Sequence, residues 1–291
     1  MSRSLGNSGA PRWYDCDLTR FPHYLDLLEQ SGATGAEIVL HDGDADEFTW
    51  RVHVLRPDWE HVVRGYRDRG LRVSIHGPLT PDFSAMRWRD EPTQTLARYQ
   101  PVLAQVAEIA EDQAGATLVL HAVSDRNATQ ERNERATAEF LRAIAEAVSR
   151  RSSKVTLAVE LRAYRGERPT AAATTRKSVM RVAEMANHPD IGVCWDVAHD
   201  LESHIALGRA WTEPDSTFLD HIRHLHLHDL GNDNEPHYPP LIGRVPISEA
   251  LDLVPDVAAV MEVRWRMAER LGDPWDILRD SYREIQSSSR S

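Results

Sequence analysis

Six short apolar stretches of this chain carry an imidazole or a carboxylate near their ends: IHGP with His76, LVLHA with His121, AVELR with Glu160, CWDVAHD with Asp196, HLHLHD with His226 and AVMEVR with Glu262. Two further groups extend the set. His199 follows Asp196 by three residues, and the polar segment EPHYPPLIGRVP supplies Glu235 and His237. Carboxylates buried among apolar strands are costly, and a bound cation is one of the few ways to accommodate several together. Mixed nitrogen and oxygen ligands suit zinc, manganese, iron or cobalt. The only cysteines, Cys16 and Cys194, cannot form the cluster that a closed structural zinc site requires. The chemistry expected is therefore that of a catalytic metal site.

The weight lies in the recurrence. The chain has 14 histidines, and one alone is ordinarily a surface residue or a hydrogen-bonded core residue. A ligand type near the end of stretch after stretch is a pattern that scatter seldom produces. His224 and His228 share a strand face with His226, and for His224 a structural role leads. Glu37 is expected to support a ligand or to form an internal ion pair rather than to bind metal itself.

Such a pattern needs elements that aim all the ligands at one place. Short β-branched runs at 35–42, 71–79, 116–123, 154–163, 191–200, 222–230 and 258–265 read as strands, and a short first strand at 13–18 makes eight. Helical periodicity fills the gaps at 21–30, 57–69, 95–113, 129–151, 176–187 and 275–285. Pro57 suits the first turn of its helix and Gly70 closes it. Alternating strand and helix implies parallel strands joined by crossovers. An open doubly wound sheet would show a glycine-rich phosphate loop after an early strand, and none is present. A site drawn from the ends of many strands instead predicts a single-domain (β/α)₈ TIM barrel over 13–286, with a disordered leader at 1–12 and a disordered tail at 287–291. Alternation along each strand puts Thr117, Val119 and His121 on one face, and likewise Thr156, Ala158 and Glu160.

Composition narrows the partners. A net charge of −11 argues against nucleic acid, whose affinity comes mostly from neutralising phosphates. No apolar run approaches the roughly 20 residues of a membrane helix. The two cysteines suit a reducing cytoplasm, and a homo-oligomer is compatible with the chain.

In their order, these segments resemble the xylose isomerase-like superfamily, which includes endonuclease IV (apurinic endonuclease family 2) and many sugar isomerases and epimerases. For the isomerases and epimerases the resemblance implies one divalent ion, manganese or magnesium among the candidates, on Glu160, Asp196, His226 and Glu262, with His199 contacting substrate. Glu160 and Glu262 would pass a proton to and from a polyhydroxylated small molecule. Arg162, His228 and Arg264, each two residues beyond a ligand, would bind hydroxyls or a phosphate. For endonuclease IV the resemblance implies three ions: one on His76, His121 and Glu160, a second on the four residues above, and a third on His199, Glu235 and His237. Here the chain departs from the family, which usually has Asp where Glu235 stands. The segment after His76, GPLTPDFSAMRWRD, also does not look like a DNA-contacting loop, so phosphodiester cleavage ranks second. An oxidative enzyme with two or three irons is the third reading, prompted by the histidine-rich seventh strand.

Overall fold

The structure, a computed structural model, describes residues 5–8, 21–41, 52–53, 58–78, 85–164, 166 and 170–288. Eight parallel strands close a ring: β1 (Leu5–Ser8), β2 (Gly35–His41), β3 (Arg72–His76), β4 (Ala116–Leu120), β5 (Val155–Glu160), β6 (Ile191–Asp196), β7 (Ile222–Leu227) and β8 (Ala259–Met261). Closure comes from β1, which pairs with β2 through Gly6 and Gly35 and with β8 through Asn7 and Met261. An extra two-residue strand, Val52–His53, pairs with the end of β2.

The expected TIM barrel is thus observed, with one relocation. The closing strand is Leu5–Ser8, inside the segment expected to be a disordered leader, while 13–18 lies outside the described residues. The last helix, Pro274–Ser288, likewise runs past the expected end of order at 286. The other seven strands fall where the alternation of residues put them.

Period-two alternation sorts each strand between two cores. Outward residues such as Ile38, Ile75, Leu118, Leu157 and Val193 join the large apolar core against the helices. Inward, Val119, Ala158 and Cys194 form a separate small cluster inside the ring. The register carries this layer across β4, β5 and β6, since Val119 pairs with Ala158 and Glu160 with Cys194. Two residues further along the same faces come His121, Glu160 and Asp196. These small buried side chains form a floor under the candidate ligands.

Local signals place the helices. Thr129 caps Gln130–Ser149 by accepting from the Arg132 amide, and Thr175 caps Arg176–Ala186 by accepting from Ser178. Asn187 ends the latter helix in the left-handed region (φ 47°). Gly70 ends Asp58–Asp68 at φ 67°, as expected, and Pro57 lies outside the described residues. The helix expected at 95–113 starts at Pro92, where a proline in the first turn forfeits no hydrogen bond.

Candidate metal centre

Asp196 shows how the fold aims a side chain. It ends β6 and is also the N-cap of helix Val197–Ala206, so its Oδ1 accepts the His199 amide at 2.8 Å while Oδ2 is left facing the ring. That one residue fixes the ligand layer to the following helix and brings His199 over it. His199 Nδ1 then lies 3.1 Å from Asp196 Oδ2 and 3.4 Å from Glu160 Oε1.

Four groups of ligand atoms converge among the described residues, each within 4.8 Å: His76, His121 and Glu160; Glu160, Asp196, His226 and Glu262; His199, His228 and His237; and Glu37, His224 and His226. The first two match the expected sets. Glu160 belongs to both. Its Oε2 lies 2.7 Å from His121 Nε2 and 3.1 Å from His76 Nε2. His76 donates its Nδ1 proton to the Gly77 carbonyl at 3.0 Å, which in the neutral ring puts the lone pair on Nε2, the atom beside Glu160.

The central group fits a cation by the state of its atoms. His226 Nδ1 and Glu262 Oε2 lie 3.3 Å apart, close enough for an ion pair, yet neither has a hydrogen-bond partner although both are buried. His199 Nδ1 is in the same position. Orphaned buried atoms of this kind are rare without an ion or a water to satisfy them.

The third group differs from expectation. Glu235 stands apart from the other candidates, its carboxylate accepting from Arg266 at 3.2 Å and from Arg270 at 2.6 Å. Two arginines outside the barrel mouth capture the longer side chain, and His228 occupies the place beside His199 and His237. His228, however, is already committed. Its Nδ1 accepts the His237 amide at 2.9 Å, a shorter contact than the 3.2 Å to the Asp229 carbonyl that would need a proton on Nδ1, so the proton is placed on Nε2, which donates to Asp196 Oδ2 at 3.2 Å. It holds Asp196 rather than offering a lone pair.

The loop bearing His237 is built by a residue that the sequence reading passed over. Asp229 accepts amides from Leu230 and Gly243 at 2.8 and 2.6 Å and from Val245 at 3.2 Å, folding 230–245 back over the barrel mouth. Its backbone also bridges to Tyr238. His237 sits there at φ 66°, uncommon for a side chain of its size, and donates Nδ1–H to the Glu262 carbonyl at 3.1 Å. An Asp right after a histidine-rich strand was the available signal.

Burial and charge set the protonation states. Burial raises the carboxyl pKa of Glu160, but His121, His199 and His76 outweigh it and hold the group well below its usual range. Glu262 and Asp196 are lowered against the same burial, chiefly by His226 and by His199 with His228 respectively. Burial lowers His121 to about 4 despite Glu160. His199 goes the other way: burial opposes its charge, yet Asp196, Glu160 and Glu262 raise it to about 9. Burial pushes the Cys194 thiol up to about 12, so it stays neutral and inert. The remaining candidates ring the mouth. Arg162 and Arg264 are half-buried, and their charges disfavour protonation of His121 and His237 respectively.

Comparison with known proteins agrees with this architecture. No curated protein matches the chain. Among solved structures, a probable 3-DHS dehydratase, AsbF, involved in petrobactin synthesis from Bacillus anthracis is 16% identical, with a TM-score of 0.64 over 98% of each chain. D-psicose 3-epimerase from Clostridium cellulolyticum, solved with D-tagatose, is 14% identical, with a TM-score of 0.66 over 99% of this chain and 98% of that one. An IOLI protein with a bound zinc atom is 11% identical, with a TM-score of 0.63 over 99% of each. At these identities the likeness is one of fold. The family profile described as the xylose isomerase-like TIM barrel matches residues 25–271, most of the chain, and the chain belongs to that family.

Proposed function

We propose that this chain is a metal-dependent isomerase or epimerase that moves a proton on a carbon next to the carbonyl of a small polyhydroxylated molecule, a sugar, a sugar phosphate or a related polyol that carries a ketone or aldehyde. The observation that carries the reading is the central group. Glu160 and Glu262, three strands apart around the ring, bring ligand atoms within 4.8 Å of each other and of Asp196 and His226.

Glu160, Asp196, His226 and Glu262 would hold the ion, whether manganese, zinc, magnesium, iron or cobalt. Bound there, it would supply Lewis acidity, lowering the cost of negative charge on a substrate oxygen. The chain's own residues do the rest. Both glutamates are held ionised, so each begins as a proton acceptor, and a substrate lying between β5 and β8 meets one carboxylate on either side. One carboxylate takes the substrate proton and, now an acid, returns it to the neighbouring carbon; for inversion at the same carbon, the opposite glutamate returns a proton that it has first taken from solvent. His199, over the group and protonated at neutral pH in the ion-free chain, is placed to donate to a substrate hydroxyl. Arg162 and Arg264 at the mouth suit hydroxyls or a phosphate, and the acidic chain as a whole suits a small substrate rather than nucleic acid. Its few cysteines suit the cytoplasm.

The second reading, phosphodiester cleavage, is favoured by the His76, His121 and Glu160 group, which offers a second ion position sharing Glu160. It is weakened at the third position, where Glu235 is held by arginines and His228 by the His237 amide. Iron-dependent oxidation draws on the same histidine-rich mouth and stands third.

Exchange of a carbon-bound substrate proton with solvent deuterium tests the proposal. Across a panel of ketoses with manganese or zinc, the parent protein is expected to catalyse exchange, and Glu160→Gln to lose at least about 100-fold of it. Cleavage of an abasic duplex by the parent but not by His121→Ala, with no exchange on any ketose, would sink the reading in favour of the second.

A further inference from the structure

Beneath the central group, Glu37 is fully enclosed in the ring at 1% exposure, a carboxylate to which the proposed chemistry assigns no task. Three donors surround it. His224 Nε2 lies 3.1 Å from Oε2, Ser74 Oγ donates to the same oxygen at 3.2 Å, and His226 Nε2 lies 3.2 Å from Oε1 and 3.4 Å from Oε2. Strands β2, β3 and β7 thus meet on one carboxylate.

We infer that Glu37 is a positioning residue that fixes the ring and tautomer of His226 so that Nδ1 faces Glu160, Asp196 and Glu262; this rests on the metal reading above. An ionised carboxylate only accepts, so the His226 proton nearest it sits on Nε2. In neutral His226 the lone pair is then on Nδ1, the atom 3.3 Å from Glu262 Oε2 that has no hydrogen-bond partner. A carboxylate behind a ligating imidazole also strengthens it as a donor to metal. His224 and Ser74 both sit on Oε2 and help to keep the Glu37 charge inside the ring, while Oε1 faces His226 Nε2 at 3.2 Å and has no hydrogen-bond partner.

A rival occupant is an ion held directly by Glu37, His224 and His226, whose ligand atoms also lie within 4.8 Å of one another. That arrangement would strip His226 of the Nε2 proton. If the same ring also served the central group, it would carry an ion on each nitrogen.

The test is metal binding by the purified full chain, stripped with chelator and titrated with zinc in competition with a coloured chelator. Thermal unfolding is followed alongside, with nitrogen-15 NMR of the histidine rings. Glu37→Ala is expected to bind the central ion about 10 to 100-fold more weakly, with the number of ions unchanged and the Nε2–H signature of His226 lost. Glu37→Gln keeps an accepting oxygen without the charge. It is expected to retain that signature and to fall between the parent and Glu37→Ala, and if the alanine variant does not fold, a loss of affinity in Glu37→Gln still decides. Variants that bind as tightly as the parent overturn the inference. So does a loss of one ion with central affinity unchanged, which assigns Glu37 to a deep ion. A parent chain that takes up no divalent ion overturns the metal reading first, before any variant is compared.

Discussion

Two neighbouring groups at the mouth of the barrel, Glu160, Asp196, His226 and Glu262 in one and His199, His228 and His237 in the other, differ in which of their atoms are already hydrogen-bonded. In the central group, His226 Nδ1 and Glu262 Oε2 are buried without hydrogen-bond partners, while the Glu37 side chain behind His226 accounts for its other nitrogen. In the outer group, His228 is occupied at both nitrogens, by the His237 amide and by Asp196. Counting histidines would rank the outer group higher, because it has three. Counting buried atoms without a hydrogen-bond partner reverses the order, with His226 Nδ1 and Glu262 Oε2 in the central group against His199 Nδ1 in the outer one. The comparison teaches that a ligand-type residue becomes a ligand only when its second nitrogen is satisfied by something other than the ion's own neighbours.

The sharpest way to break this comparison is to truncate one histidine from each group. His226→Ala is expected to weaken the central ion by more than about 100-fold, since even outer-shell partners reach that scale. His237→Ala is expected to leave the tightly held ion in place. Elemental analysis after gel filtration reads both, and loss of an ion from His237→Ala alone would invert the assignment.

A pH series separates the groups by a smaller effect. In the ion-free chain His199 is raised from the ordinary 6.5 to about 9, so its stabilisation is complete below pH 6.5 and disappears as pH rises through about 9. His76 and His226 are raised too and act in the same direction. The His199 contribution is on the order of 3 kcal/mol, lost across that window because the unfolded chain gives up its proton first. Denaturant melts with chelator should show the alkaline loss, and melts with zinc should not, because the ion takes the place of the protons. A chelated protein equally stable on both sides of the window would remove the charge assignment from His199.

The smallest expected effect belongs to Glu235. With its carboxylate on Arg266 and Arg270 at a partly exposed site, Glu235→Gln is expected to change stability by about 0 to 1 kcal/mol. Ion count should not change. An ion lost with this substitution would return Glu235 to the ligand set.

The parts of the site that could be read in the sequence are those governed by local geometry. Strand alternation is a period of two, so Val119 and His121, or Ala158 and Glu160, had to share a face once the strands were recognised. The order of helices and strands then required a parallel barrel with that face inward at the ligand layer. His76, His121, Glu160, Asp196, His226 and Glu262 followed from this reasoning. Glu235 did not, because it lies in the loop after β7, whose path is set by Asp229 gathering amides up to 16 residues away. A loop residue two positions from a true neighbour of the site can point anywhere the backbone takes it.

By itself, then, the sequence determined the barrel and which candidate ligands share its inward face, because short-range periodicity controls both. Only the tertiary structure decided that Leu5–Ser8 closes the ring, that Arg266 and Arg270 draw Glu235 away, and that Glu37 stands behind His226 from 189 residues earlier in the chain. Which nitrogen of a histidine carries the proton depends on the group facing it across the fold. No local pattern encodes that partner.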